Sequence, residues 1–366
     1  MSWPSPVPLL EPDVPAFRSP RPDPALAAAR RTPILVVLLA VLLTACNASA
    51  TPRPTTPPDA TGSLLPPATA TPGPSAAPSA SFPTSLTDDE GTTVALKSAP
   101  QKIVSLTPAE TEVLFALGAG DRVVGKVEDV ANFPPQAKNV PIVGTFSGVD
   151  VEKIVGAGAD LVIAGGSGGT PKDAIDKLRS LKIPVLVVYA PDVEGVLSDI
   201  TLTGAAIGRP AEAAVLTASM RVGFDQVAAA TAGVTKPRTF YETGDQPAIY
   251  GIADDSVYAQ MITLAGATPI TTGSATSWEM PVEKLIAADP EVIILGDSAY
   301  GVTAAAVAKR AGWAGLTAVK QGAIRPIDDI PVTRPGPRLV DGLRLLVAAI
   351  HPELALPSAA PNPYGG

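Results

Sequence analysis

The chain has 366 residues, room for two compact lobes, and carries 27 Lys and Arg against 35 Asp and Glu for a net charge of −8. With no basic block to offset it, that balance argues against a nucleic-acid partner. A single cysteine excludes an internal disulfide, and a single histidine excludes a multi-histidine metal site or a His-dependent catalytic cluster anywhere but at that one position.

The first 45 residues read as an export signal with an unusually long, proline-rich n-region. Arg30 and Arg31 precede an apolar run, Ile34 to Leu43, too short to span a bilayer but suited to a signal h-region. "LTAC" follows and ends on Cys46; the small residues before it resemble a bacterial lipobox, which implies a lipidated Cys46. The alternative, a buried free cysteine in a core strand, conflicts with the proline-rich chain that follows at once. From Asn47 to Glu90 come ten prolines among Thr, Ala and Ser, so residues 46–90 are expected to form a lipid anchor and a disordered tether.

The head is expected to begin near Gly91. In its first part, residues 91–191, short β-rich runs alternate with helical ones. "KIVSL" is a strand and "TPAETEVLFALGAG" a helix with Pro108 in its first turn; "RVVGK" is a strand again. A loop leads to "PIVG". Asp150 then caps a helix over "VEKIVGAG", "DLVIAG" is a buried strand, and a helix and the strand "PVLVVY" complete the part. This alternation implies an α/β fold with parallel wiring. Residues 192–233 lose the strand signal and read as two helices. The second of these, opening at Pro210, is long enough to cross between lobes as a strut. Residues 234–355 resume the alternation with "RTFYET", a helix over "DDSVYAQMITLAGA", further units including a helix over "TAAAVAKRAG", the strand "AIRPID" and a last helix from "PGPR". Residues 356–366 read as a disordered tail.

The two lobes share a sentence. "VDVEKIVGAGADLVIAG" (149–165) and "MPVEKLIAADPEVIILG" (280–296) agree at six of 17 positions. The stretches "KIVSLTPAETEVLFALGAGDRVVG", "FPPQAKNVPIVGTFSGVDVEKIVGAGADLVIAG" and "RPGPRLVDGL" resemble the solute-binding proteins of bacterial ABC importers for iron chelates and cobalamin, over about Val94 to Pro352. The resemblance implies two α/β lobes joined by a single long helix, with the ligand clamped between them. It also implies a small-molecule metal chelate as ligand, an ABC permease as membrane partner, no catalytic residue and no resident cofactor. The form expected is a monomer, lipid-anchored on the outer face of the cell membrane.

The resemblance gives the repeat a task. Cobalamin-binding members dock on arginine pockets of their permease through one glutamate per lobe, and the matching residues are Glu152 and Glu283. Both also fall in the first turn of a helix, where a carboxylate is favoured without any partner. Trp278 matches a cleft tryptophan of those members, Phe146 stands where they place tryptophan, and Phe133 matches a loop tyrosine. Aromatic faces suit a corrin or chelate, although each of the three could instead fill core. "GGSGGTPK" (165–172) lacks the ending of a phosphate-binding P-loop, so Gly166 reads as bare backbone lining the cleft, or as part of a simple turn. Cobalamin-binding members often carry an aromatic there. Tyr250 is assigned to the second lobe's rim, and Arg334 to a carboxylate or phosphate of the ligand; Arg338 and His351 read as structural. Cobalamin is the favoured chelate, with an iron–siderophore or haem as the alternative. A secreted α/β enzyme lacks a nucleophile motif here, and a surface adhesion module does not need a two-lobed cleft.

Overall fold

The computed structural model describes residues 81–145, 148–166, 169–357 and Tyr364. The signal segment, Cys46, the tether up to residue 80 and Phe146 lie outside the described residues.

The first lobe opens with an antiparallel hairpin, β1 (Thr84–Thr87) and β2 (Thr93–Leu96). Then follow β3 (Ile103–Ser105), α1 (Pro108–Ala116), β4 (Val123–Val127), β5 (Ile142–Thr145), β6 (Gly148–Val149), α2 (Val151–Gly156), β7 (Leu161–Gly165), α3 (Lys172–Ser180) and β8 (Val185–Val188). The sheet order is β6-β5-β4-β3-β7-β8, parallel throughout except for the β5–β6 edge. Local signals set these elements. Thr107 caps α1 by accepting from the Glu110 amide at 3.1 Å, and Pro108 occupies a first-turn position where no amide is needed. Asp150 caps α2 through the Lys153 amide at 3.0 Å.

Two helices, α4 (Val193–Ile207) and α5 (Pro210–Ala230), connect the lobes. Gly208, at φ 75°, ends α4, and Pro210 starts α5. The pair packs closely because Gly204 has no side chain: a Cβ there would stand 2.4 Å from that of Ala213. At 21 residues α5 runs about 31 Å.

The second lobe contains β9 (Arg238–Glu242), α6 (Val257–Leu264), β10 (Thr268–Ile270), α7 (Val282–Ala288), β11 (Val292–Leu295), α8 (Ala304–Val307), α9 (Thr317–Lys320), β12 (Ile324–Pro326), α10 (Ile330–Thr333) and α11 (Leu339–Ile350). Its sheet, β10-β9-β11-β12, is wholly parallel. One core runs through the bridge, joining Val113 and Leu114 of α1, Leu197 of α4, Phe224 of α5, Met261 of α6 and Leu343 of α11. Separate apolar clusters fill the far side of each lobe, around Ile154 and Ile175 in the first and Leu285 and Trp313 in the second. The bridge is therefore a packed shaft, since moving one lobe on it would expose shared core.

Three expectations are corrected. The head starts before Gly91: Phe82 and Leu86 pack on the core, and buried Asp88 accepts from Arg179 at 2.9 Å and from the Val187 amide at 3.2 Å. The helix over "TAAAVAKRAG" is only the four-residue α8. It stops where Arg310 turns inward to Glu242 and Asp245 and Gly312 takes φ 82°. Within 356–366, Leu356 packs on the core, Arg344 binds the Pro357 carbonyl, and Tyr364 sits against Phe133.

Candidate functional cleft

Loops at the carboxyl ends of parallel strands are where an α/β sheet meets a ligand. In the first lobe these loops carry Phe133 after β4, Gly166 after β7 and Tyr189 after β8. In the second they carry Tyr250 between β9 and α6, Trp278 between β10 and α7, and Asp328 to Arg334 after β12. Where α4 meets α6 the lobes are tied directly, the Val193 amide donating to Gln260 Oε1 at 2.7 Å.

Both lobes carry aromatic residues on these loops. Trp278 is 39% exposed and meets Tyr258 of α6 at 5.6 Å, inclined 64°. The Tyr258 hydroxyl donates to the Thr333 carbonyl at 3.2 Å; burial, and then the charge of Tyr189, push its pKa up to about 12. Tyr189 is 61% exposed. Its amide donates to Asp89 at 2.5 Å, which fixes the backbone at the strand end. Gly166 is bare for a reason the sequence does not disclose: a Cβ there would lie 3.0 Å from Tyr189 Cβ and 3.1 Å from its ring. Tyr189 takes the space that a side chain at 166 would need. Tyr250 bridges to Gly244 and Glu279, so its backbone staples the rim next to Trp278.

Arg334 is placed differently from a ligand anchor. It is 8% exposed, and its terminal nitrogens reach Glu112 at 3.2 Å and Asp129 at 3.0 and 2.5 Å. Arg338 grips the same Glu112 at 2.8 and 2.6 Å and lies 3.7 Å over the Phe133 ring. Burial opposes the charge of Asp129, but Arg334 and two backbone amides outweigh it, and its pKa is lowered. The network joins α1 and the β4 loop of one lobe to the α10–α11 turn of the other. Both arginines are thereby committed to the lobe–lobe seam.

Glu152 on α2 and Glu283 on α7 are exposed. Neither side chain has an ion-pair or hydrogen-bond partner among the described residues, so both carboxylates are available to a partner. His351 is buried and pairs with the Gly266 carbonyl at 3.0 Å.

Buried acids occur in both lobes and on α4. Burial pushes Glu110 up to about 7, against a hydrogen bond from Thr203 at 3.1 Å. Burial and Asp89 push Asp199 up to about 9. In the second lobe, burial and Glu242 push Asp297 up to about 7. Arg310 compensates Glu242 through a fork of 2.5 and 2.8 Å bonds. Among the described residues no group of three or more His, Cys, Asp or Glu side chains is arranged to hold a metal ion. A groove of about 530 Å³ lined by Asp192, Asp254, Ser256 and Thr271 opens beside α6, apart from these aromatic rings.

Tyr189, Tyr258, Glu112 and Asp129 are the residues that sequence reasoning missed. Tyr189 had a legible signal, an aromatic at the end of a buried strand; the other three depend on partners far away in the chain.

A family model described as periplasmic binding protein matches residues 103–331. An ABC transporter substrate-binding lipoprotein of Bacillus subtilis (strain 168) is 34% identical over 278 residues, 74% of this chain and 87% of that protein. A cobalamin-binding protein of Halobacterium salinarum (strain ATCC 29341 / DSM 671 / R1) is 30% identical over 285 residues, 74% of this chain and 75% of its own length. Among solved structures, a periplasmic heme binding protein from Pseudomonas aeruginosa superposes with a TM-score of 0.60 at 26% identity, covering 71% of this chain and 96% of that one.

Proposed function

The chain belongs to the periplasmic binding protein family, the substrate-binding components of ABC importers for cobalamin, haem or iron chelates, and from that premise we propose that it captures cobalamin. In this reading Cys46 carries a lipid anchor, the tether lets the head reach its permease, and Glu152 and Glu283 seat one lobe each on that partner. The head works as a monomer on the outer face of the membrane.

The observation that carries the ligand choice is the pairing of aromatic surface with sequestered arginine. Trp278 packs on Tyr258 in the second lobe and exposed Tyr189 stands at a strand end of the first, while Arg334 and Arg338 are held by Glu112 and Asp129. A large, weakly charged corrin gains contact from such walls at low entropic cost. An anionic siderophore would want the guanidinium groups that are already paired. Haem is the second reading, favoured by the exposed Tyr189.

The test is tryptophan fluorescence of the purified protein with cyanocobalamin, hemin and a ferric siderophore. Trp278 is 39% exposed and Trp313 is buried at 1% exposure, so the part of the quenching that is lost in Trp278→Phe reports the cleft tryptophan. Saturable quenching by cyanocobalamin is expected. Quenching by hemin alone would move the assignment to haem, and no response to any chelate would remove the ligand class.

A further inference from the structure

The chain does not leave the head where α11 ends. Leu354 and Leu356 pack on the shared core, and Arg344 binds the Pro357 carbonyl. Tyr364 then lies at the opposite end of α11, beside Arg338 and Phe133. The return is within reach: α11 spans about 18 Å, and seven residues beyond Pro357 extend up to about 24 Å.

At that point Tyr364 meets groups the cleft already uses. Its ring stands edge-on to Phe133, with centroids 4.9 Å apart at 90°. Its hydroxyl donates to Glu112 Oε2 at 3.3 Å, and its carbonyl accepts from Gln136 Nε2 at 3.3 Å. Burial and the Glu112 carboxylate raise the hydroxyl's pKa, so it stays a neutral donor. We propose that Phe133, Gln136 and Glu112 form an aromatic-binding subsite that Tyr364 fills in cis, and that a chelate entering over Phe133 must displace it. The chemistry that fits the subsite is a planar or macrocyclic edge bearing a hydrogen-bond donor toward Glu112.

The contacts are those of a removable occupant. The bonds to Glu112 and Gln136, each 3.3 Å, are longer than the usual range. Glu112 keeps both arginines when Tyr364 leaves, so displacement strands no buried charge. A site occupied by its own tail binds ligand with an apparent affinity reduced by the fraction of molecules that are tail-free. The displacement step rests on the proposed chelate-binding cleft; the cis contact itself does not.

The experiment compares the full chain in mild detergent with Tyr364→Ala and with a version ending at Pro357, using cyanocobalamin and hemin titrations. Both variants are expected to bind about three- to thirtyfold more tightly. Unchanged affinity would overturn the proposal, and so would weaker affinity, which would make Tyr364 part of the ligand's own wall. Hydrogen exchange over residues 129–137 without ligand supplies the independent readout, and faster exchange in Tyr364→Ala is expected. If no chelate binds any variant, the proposed cleft function fails while faster exchange still supports the cis contact. Unchanged exchange overturns the subsite whichever way binding turns out.

Discussion

The two lobes place their shared segment at the same point of the same wiring. In the first, β7 lies between β3 and β8 with β4 on the far side of β3; in the second, β11 lies between β9 and β12 with β10 on the far side of β9. The helices before them, α2 and α7, each present a "VEK" whose glutamate is exposed. Their ends differ. Asp150 caps α2, whereas α7 starts after Pro281 with no side-chain cap; α2 is followed by Gly158 at φ 68°, whereas α7 ends at Asp289, at φ 45°. Asp289 tolerates that backbone while its carboxylate takes the Thr317 amide and hydroxyl, each at 2.7 Å. Local devices have diverged while the position of the glutamate has not. That pattern is expected when an external partner, rather than helix stability, keeps the residue in place.

The strongest way to break this comparison is to remove the glutamates separately and together. Glu152→Ala with Glu283→Ala should reduce permease-dependent uptake of labelled cobalamin at least tenfold and leave chelate affinity within about twofold. An exposed carboxylate that loses only a helix-dipole contact has a small effect on folding, about 0.3–1 kcal/mol. Uptake that survives in the double variant would reduce both residues to helix-end charges. Unequal losses in the single variants would show which lobe leads the docking.

A second contrast lies between the two arginine hubs. Arg310 neutralises Glu242 and Asp245 within one lobe, while Arg334 joins Asp129 and Glu112 across the seam. Arg334→Ala should destabilise by about 3–5 kcal/mol in urea unfolding, because it leaves buried carboxylates short of a partner. Arg334→Lys should recover little of this, since one ammonium cannot reproduce a fork that reaches two acids. Retention of stability in Arg334→Ala would mean that Arg338 alone holds the seam.

Much of the fold was legible because it is written in local patterns. Pro108 and Pro210 open helices where expected, Asp150 caps α2, and the apolar runs of β7, β8 and β11 form the buried strands. The hairpin strand β1 was not, because "TSLT" sits in a Thr, Ser and Pro background and earns its place only through pairing with β2 and the burial of Asp88. The cleft was legible in part. Trp278 and Gly166 sit in the loops after β10 and β7, yet the space at Gly166 is taken by Tyr189, and the placement of Arg334 depends on Glu112, 222 residues away. Pairings at such distances leave no trace in periodicity or spacing.

The smallest expected effect also separates the lobes. Glu110 in the first, Asp199 on the bridging α4 beside it, and Asp297 in the second have folded pKa values raised above those of the unfolded chain. A raised acid contributes stability that is complete below its unfolded pKa, near 4, and is lost as pH rises through its folded value. The losses should therefore run from about pH 4 to about pH 7 for Glu110 and Asp297 and on to about pH 9 for Asp199, while Asp129, with its lowered pKa, loses its contribution only in acid. Urea midpoints should decline from pH 5 to pH 9. Asp297→Asn should flatten the part of the decline that ends near pH 7, and Asp199→Asn the part that continues toward pH 9, each by on the order of 1 kcal/mol. If both variants flatten the same step, the two acid clusters titrate as one unit through the shared core of the bridge. If each removes only its own, the lobes keep separate electrostatics although they share a single shaft.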